Sequence, residues 1–294
     1  MDVVITYVNG LDPQWQQDYA ATVGMETMLA KRFRDWGTLP YLLRGVEKCI
    51  PDLGEVYLIV ARESQIPAWA DTKRLHIVLH KDIIPERFLP LFNSSSIEMF
   101  LHRIEGLSER YIYLNDDFYP LQTFEMDEFY PGGKAAIYMK KQLMVLGNDF
   151  RRLVKHSDSL ARRCAGLGRS LFYIRPQHTA APMIRSAMQE LYDKCESEII
   201  ASITKIRQRA NYNQYLFSDY MYYKGLTAQK RISNKHFSLS VAGIDKIIDF
   251  LDNPTSKMVC INDVNISEEK FESYRSQMLS AFARRFPDKS RFEL

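Results

Sequence analysis

Apolar residues run together, without alternation, at Val3-Val4-Ile5 and again at Val56-Tyr57-Leu58-Ile59-Val60, the pattern of strands covered on both faces. Between them Leu39, Leu42, Leu43 and Val46 recur at helical spacing, predicting a helix over 39–49 before the turn Pro51-Asp52-Leu53-Gly54. Ile77-Val78-Leu79 reads as a third, short strand. Ser94-Ser95-Ser96 then offers an N-cap to a helix whose apolar face is Ile97, Phe100, Leu101 and Ile104 and which Gly106 closes; a strand over Tyr111 to Leu114 follows. Strand and helix thus alternate through the first 120 residues, which predicts an α/β fold on a mostly parallel, doubly wound sheet. Farther on, the spacing predicts a long helix from Met183 to Ile206 and an aromatic-rich one from Tyr212 to Tyr223, with Tyr215, Leu216, Phe217, Tyr220 and Tyr223 turned to the core. A last helix follows Ser267. There is no repeat or clear linker. The expectation is a single domain over 1–294: an α/β core over 1–120, a basic, helical insertion over 121–175, and a closing region over 176–294 with C-terminal helices.

Composition adds limits. With 294 residues and a net charge of +3, the chain is long enough for a substantial core and too nearly neutral to suggest a nucleic-acid partner. Charge is local instead: between Met139 and Arg169, Lys140, Lys141, Arg151, Arg152, Lys155, Arg162, Arg163 and Arg169 face only Asp149 and Asp158. Such a field could meet a phosphate-bearing acceptor or the anionic surface of a membrane; a merely solvated basic face explains it equally well. Cys49, Cys164, Cys195 and Cys260 form no C-x-x-C pair and are expected to be free thiols. The chain opens on a strand with no signal-like leader and holds no run long enough to span a bilayer, so the expected location is the cytoplasm, at most peripheral to the inner face of its membrane.

In open parallel sheets, ligands bind beyond the carboxyl ends of strands. Asn9-Gly10, a dipeptide suited to positive φ, and Asn115-Asp116-Asp117 both fall at such ends. Two adjacent acids resist each other's ionisation unless a positive charge is near, although a plain turn explains them too. Glu98 and His102, four apart, share a helix face away from the apolar one; a solvated face is the ordinary explanation. On their own, His178 is an ordinary loop histidine and Arg207 one of several surface arginines.

Longer stretches carry a resemblance. Asp2 through Pro13, Arg32-Phe33-Arg34-Asp35 with Leu39 and Leu43-Arg44, and Ser95-Ser96-Ile97-Glu98 through His102 to Asp117 resemble the first two blocks of the Stealth family of polysaccharide phosphotransferases. Pro176-Gln177-His178, Met188-Gln189-Glu190-Leu191, Lys205-Ile206-Arg207 before Gln214-Tyr215-Leu216-Phe217, Cys260-Ile261-Asn262-Asp263 and the closing Phe286 to Glu293 are similar to its third and fourth. Tyr7 stands where that family's first block carries tryptophan. The resemblance implies a Rossmann-like, GT-A-like fold and transfer of sugar-1-phosphate from a nucleoside diphosphate sugar, UDP-linked by preference, to a hydroxyl of an oligo- or polysaccharide, releasing the nucleoside monophosphate. It implies an active site drawn from Glu98, Asp116, Asp117, His178 and Arg207, with Arg207 (or Arg209) on the phosphoryl group and His178 or Asp117 as base. It implies further a donor site at Asn9, Gly10, Asp12, Asn115 and Asn262, and Mg²⁺ or Mn²⁺ on Asp116, Asp117 and Asp263.

Overall fold

The computed structural model describes residues 1–24, 33–144, 149–263 and 266–294, and of residues 149–151 the backbone alone. Arg32 therefore lies outside the described residues, as do the Asp149 and Arg151 side chains of the basic stretch. The chain forms two compact units, each assembled from separated stretches: unit 1 is Met1–Asp2, Val78–Tyr113 and Met126–Ile232, and unit 2 is Val3–Ile77, Leu114–Glu125 and Ser233–Leu294.

The first stretch of unit 2 contains β1 (Asp2–Thr6, Asp2 belonging to unit 1), α1 (Pro13–Val23), α2 (Leu39–Cys49), β2 (Val56–Val60) and β3 (Leu75–Leu79, whose last two residues belong to unit 1). Strands β1 and β2 pair in parallel with Val3 opposite Val56, and β3 flanks β2. Both unbroken apolar runs are buried on each face, as their lack of alternation requires. The apolar stripe of α2 is buried along its whole length. Its Gly45 has a packing reason: a Cβ there would sit 2.5 Å from the Pro120 carbonyl oxygen.

Unit 1 then contributes α3 (His80–Ile83), α4 (Ser94–Glu98) and β4 (Arg110–Asn115), whose last two residues belong to unit 2. The helix expected from Ser94 to Gly106 ends at Glu98, and a separate 3₁₀ turn covers Leu101–Arg103. Residues 95–102 are buried throughout, so packing on all sides governs this backbone rather than a one-faced stripe. After β5 (Phe118–Pro120) in unit 2, unit 1 resumes with α5 (Met126–Phe129), β6 (Ala135–Ala136), β7 (Met139–Leu143), α6 (Asp149–Cys164), β8 (Phe172–Pro176), β9 (Ala181–Ile184), α7 (Arg185–Lys194), α8 (Glu196–Ser202), α9 (Tyr215–Tyr223) and β10 (Thr227–Ala228). The segment expected as a helical insertion thus carries strands as well, with β7 antiparallel to β8.

The helix expected over Met183 to Ile206 is three elements. Met183 is taken into an antiparallel pair opposite Tyr111, where the Tyr130 hydroxyl donates to both of their carbonyls. The helical run breaks again at Cys195, whose extended φ of −139° separates α7 from α8. Strand pairing outweighs local periodicity here.

Unit 2 closes with β11 (Asn234–Ser238), α10 (Ile244–Asp252), β12 (Met258–Asn262) and α11 (Glu268–Arg285). Strand β12 runs parallel to β11 and antiparallel to β5. Ser267 caps α11 as its sequence predicts. Arg44 clamps the C-terminal segment through a two-pronged pair with Glu293 at 2.8 and 2.6 Å. The fold class is α/β, as the alternation predicts. No helix among the described residues is long and apolar enough to cross a membrane.

Candidate active site

Unit 2 gathers an acidic corner. Asp116 and Asp117 occupy the two-residue turn between β4 and β5, so covalent geometry alone places the carboxyls together. Strand β12 backs the turn: Ile261 N–H donates to the Asp117 carbonyl at 3.0 Å. The Asp117 carboxylate is thinly held, with Asn262 Nδ2 at 3.4 Å and Cys260 Sγ at 3.5 Å from Oδ2, while its buried Oδ1 has no hydrogen-bond partner among the described residues. Burial pushes Asp117 up to about 6. Burial, followed by the charge of Asp117, pushes Asp116 up to about 8. Tyr7, one residue past β1, is raised by burial and by the acids it faces: Asp35, which its hydroxyl bonds, and Asp116. The tyrosine that stands in place of the family's tryptophan, an aromatic still able to line a pocket, is a neutral phenol facing the acids of the corner.

The loop after β1 is fixed by its own hydrogen bonds. Asn9 Oδ1 accepts from Leu11 N–H at 2.9 Å, and the buried Gln65 side chain binds both the N–H (2.7 Å) and the carbonyl (3.0 Å) of Asn9. Gly10 does not adopt the positive φ expected of it. It is required instead by a close approach: its N–H donates to the Phe33 carbonyl at 3.0 Å, and a Cβ would lie 2.1 Å from that oxygen. Asp12, expected on a ribose or sugar hydroxyl, caps α1 through Gln14 N–H at 3.1 Å and accepts from Ser64 Oγ at 2.7 Å and Gln65 Nε2 at 2.8 Å. Burial disfavours its charge, but those bonds outweigh it and hold the carboxyl below its ordinary range. Both of its oxygens are thus occupied within the protein.

The corner's fit to a divalent cation can be judged from its donors. Asp116 and Asp117 offer hard oxygens, one of them buried and unpartnered, in a place where two charges repel. Asp263, the third expected ligand, accepts from Trp36 Nε1 at 3.2 Å and has the Arg34 guanidinium 4.0 Å away, both at Oδ2. Among the described residues no group of three or more His, Cys, Asp or Glu side chains is placed to hold a metal ion.

Unit 1 holds Glu98, His178 and Arg207. Glu98 is buried, pushed up to about 7 by burial and drawn back by Gln214 N–H on Oε2 at 2.7 Å, by the charge of Arg207 and by the Tyr113 hydroxyl at 3.3 Å. Arg207 is exposed and donates to Ser94 Oγ in the first turn of α4. Its loop is pinned there by Phe92 N–H to the Lys205 carbonyl (2.9 Å), Ser96 Oγ to the Thr204 carbonyl (3.0 Å) and Asn93 Nδ2 to Asn211 Oδ1 (2.9 Å). His178 follows β8, its Nδ1 3.2 Å from the Tyr215 hydroxyl. A small cleft lies next to it in the chain, lined by Tyr138, Gln177, Thr179, Gln214 and Tyr215 among others. Gln214 joins the two sides of this arrangement, since its N–H holds Glu98 while its side chain lines the cleft. Tyr215 is buried, as its place on the apolar face predicts, and also reaches His178; the position of Gln214 leaves no local mark in the sequence.

The surface pair expected of Glu98 and His102 is not formed. Both side chains are buried, and His102 packs 4.9 Å from the Tyr192 ring, where burial pushes its pKa down to about 4 and keeps it neutral. Its role is structural. The thiols are free, as expected.

Relatives align along the whole chain. The family model for Stealth protein CR2, conserved region 2, matches residues 32–137, a span that includes Glu98, Asp116 and Asp117. The capsular polysaccharide phosphotransferase WcwK of Streptococcus pneumoniae is 29% identical over 100% of this chain and 99% of its own. The receptor polysaccharide phosphotransferase WefC of Streptococcus oralis is 30% identical, with the same coverage. Among solved structures, the apo-form glycosyltransferase GlyE of Streptococcus pneumoniae aligns over 98% of this chain and 65% of its own at 12% identity and a TM-score of 0.37. End-to-end identity to these phosphotransferases, with the second conserved region falling on the acidic turn, makes the chain a member of the Stealth family.

Proposed function

We propose that this enzyme transfers sugar-1-phosphate from a nucleoside diphosphate sugar, UDP-linked by preference, to a hydroxyl of a saccharide acceptor in capsular or cell-wall polysaccharide synthesis. The bond broken lies between the two phosphates: the acceptor oxygen attacks the sugar-bearing phosphorus, the nucleoside monophosphate leaves, and a phosphodiester remains. The full-length likeness to proteins named polysaccharide phosphotransferases carries this reading.

Three demands of the reaction meet side chains suited to them. The attacked phosphoryl group carries negative charge, and the guanidinium of Arg207, fixed by Ser94, offers a planar fork to it. The acceptor hydroxyl must lose a proton; His178, oriented by Tyr215 beside the cleft, is the base, and Asp117 is the alternative acceptor. The leaving phosphate needs neutralisation, and Asp116 with Asp117 would hold Mg²⁺ or Mn²⁺ there. Such a cation, when bound, supplies charge stabilisation on the diphosphate and lets both acids ionise. Asn9, Gly10, Asn115 and Asn262 would face the donor, the Asn9-Gly10 loop being held in place by Gln65 and Phe33. Glu98 acts through others: it positions Gln214 and tempers the charge of Arg207.

Incubation with UDP-sugars, a polysaccharide fragment and Mg²⁺ tests the reading. UMP formed in step with a phosphodiester signal in ³¹P NMR is the expected result; UDP as the nucleotide product would mean ordinary glycosyl transfer, and no turnover with any donor would point to a binding subunit.

A further inference from the structure

Large apolar side chains are exposed at eight positions among the described residues, and five of them fall on one small feature of unit 1. Leu143 (56% exposed), Met144 (39%), Leu171 (77%) and Phe172 (37%) form the end of the β7–β8 ladder, with Leu167 (42%) in the connection just ahead of β8. Pairing holds them together: Leu143 is opposite Phe172, and Met144 N–H donates to the Leu171 carbonyl at 2.8 Å. Farther along the ladder Met139, Tyr173 and Ile174 are buried, so the exposed apolar side chains are those of its end.

Charge around this end has one sign. Residues 139–144 and 167–176 contain Lys140, Lys141, Arg169 and Arg175 and no acid. Lys140 and Lys141 are exposed, and Lys141 Nζ lies 4.5 Å above the Phe172 ring, so cation and apolar surface are presented together. A soluble polyanion would be gripped by the cations and would gain nothing from outward leucines. A second copy of the chain would bring lysines against lysines across a two-fold axis. An anionic bilayer satisfies both halves: acyl chains accept the apolar tip and headgroup phosphates accept the cations.

We propose that the end of the β7–β8 ladder is a membrane-docking tip, with Leu143, Met144, Leu171 and Phe172 entering the boundary between headgroups and acyl chains and Lys140, Lys141 and Arg169 meeting lipid phosphates. Docking holds the enzyme at the surface where a lipid-linked acceptor would be presented, and it is independent of the catalytic residues.

Sedimentation of the full chain with phosphatidylglycerol-containing vesicles tests it. Binding should be strong with these vesicles, weak with phosphatidylcholine alone, and reduced by high salt. The L143E/L171E double variant should lose about tenfold or more in vesicle affinity, since a buried leucine is worth about that factor by itself. Far-UV circular dichroism and transfer to a soluble acceptor should be unchanged in that variant. Equal binding to neutral vesicles, or unchanged binding by L143E/L171E, overturns the proposal. K140E/K141E should also weaken binding to these vesicles, since Lys140 and Lys141 meet the headgroups. Loss in K140E/K141E with L143E/L171E unaffected would assign the surface to a polyanion and overturn the proposal. So would a change in oligomeric state on L143E/L171E substitution, which would assign it to self-association. Because vesicle binding needs no turnover, an enzyme that binds vesicles and releases UDP would retain the docking tip while refuting sugar-1-phosphate transfer.

Discussion

Two of the places where this protein buries carboxylates, Glu98 and the Asp116-Asp117 turn, treat the charge in opposite ways. Glu98 in unit 1 is compensated from within: a backbone N–H at 2.7 Å, a tyrosine hydroxyl and the field of Arg207 all act on one carboxyl. Asp116 and Asp117 in unit 2 lie next to each other with only long contacts from Asn262 and Cys260, and one buried oxygen is left over. Burial raises all three, but at Glu98 protein donors and the field of Arg207 draw the carboxyl back, whereas at the turn the charge of Asp117 raises Asp116 further. A compensated carboxyl suits a positioning role; a pair of mutually repelling acids is suited to the cation proposed for it.

The largest effects should fall on chemistry. Arg207→Ala is expected to cost about 10²- to 10³-fold in kcat, the scale of removing one charge-stabilising group from a transition state, and Arg207→Lys to restore only part of it. Asp117→Asn should cost as much and also blunt the response to Mg²⁺, whereas Glu98→Gln should keep its metal response. An Asp117→Asn enzyme with the wild-type Mg²⁺ dependence would erase the distinction between the two regions.

Next comes the backbone of the donor loop. The Cβ of Gly10→Ala would meet the Phe33 carbonyl at 2.1 Å, so the variant should lose about 1–3 kcal/mol of stability in denaturant titration and bind donor poorly. A neutral outcome would mean that the loop is not held by this approach.

The pH dependence of stability sharpens the comparison further. Glu98 titrates at about 7 in the folded chain against an ordinary 4.5, so the native state binds more protons between those values. Its contribution is therefore complete below 4.5 and lost as pH rises through 7. Glu98→Gln should flatten that fall by about 1–3 kcal/mol, measured by thermal melts across the range. Asp116→Asn should flatten a fall reaching to about pH 8, and only there should added Mg²⁺ flatten it as well. The smallest effect is thermal: Mg²⁺ at ten times its dissociation constant should raise the wild-type melting temperature by about 2–5 °C, and Asp116→Asn should abolish the shift.

Much of this was legible in the residues. Unbroken apolar runs located β1 and β2 because strands buried on both faces need no alternation, and the stripe of α2 was read correctly because that helix has one covered side. The same logic failed over Ser94 to Gly106, where burial surrounds the chain, and over Met183 to Ile206, where pairing of Met183 with Tyr111 recruits helix-like spacing into a strand. At the site, the adjacency of Asp116 and Asp117 is written in the sequence, and the family blocks pointed to Glu98, His178 and Arg207. What they could not reveal was the partners. The Arg207–Ser94 bond joins residues 113 positions apart, Gln214 and Glu98 are 116 apart, and Cys260 and Asp117 are 143 apart. Gly10 was recognised as special for the wrong reason, since a steric approach by Phe33 leaves no mark in the local sequence.

The central claim concerns the fate of one phosphorus atom. UDP-N-acetylglucosamine or another UDP-sugar labelled with ³²P at the β-phosphate, incubated with enzyme, Mg²⁺ and acceptor, should yield labelled saccharide and unlabelled UMP. Label retained in UDP beside an unlabelled, lengthened saccharide would contradict the account.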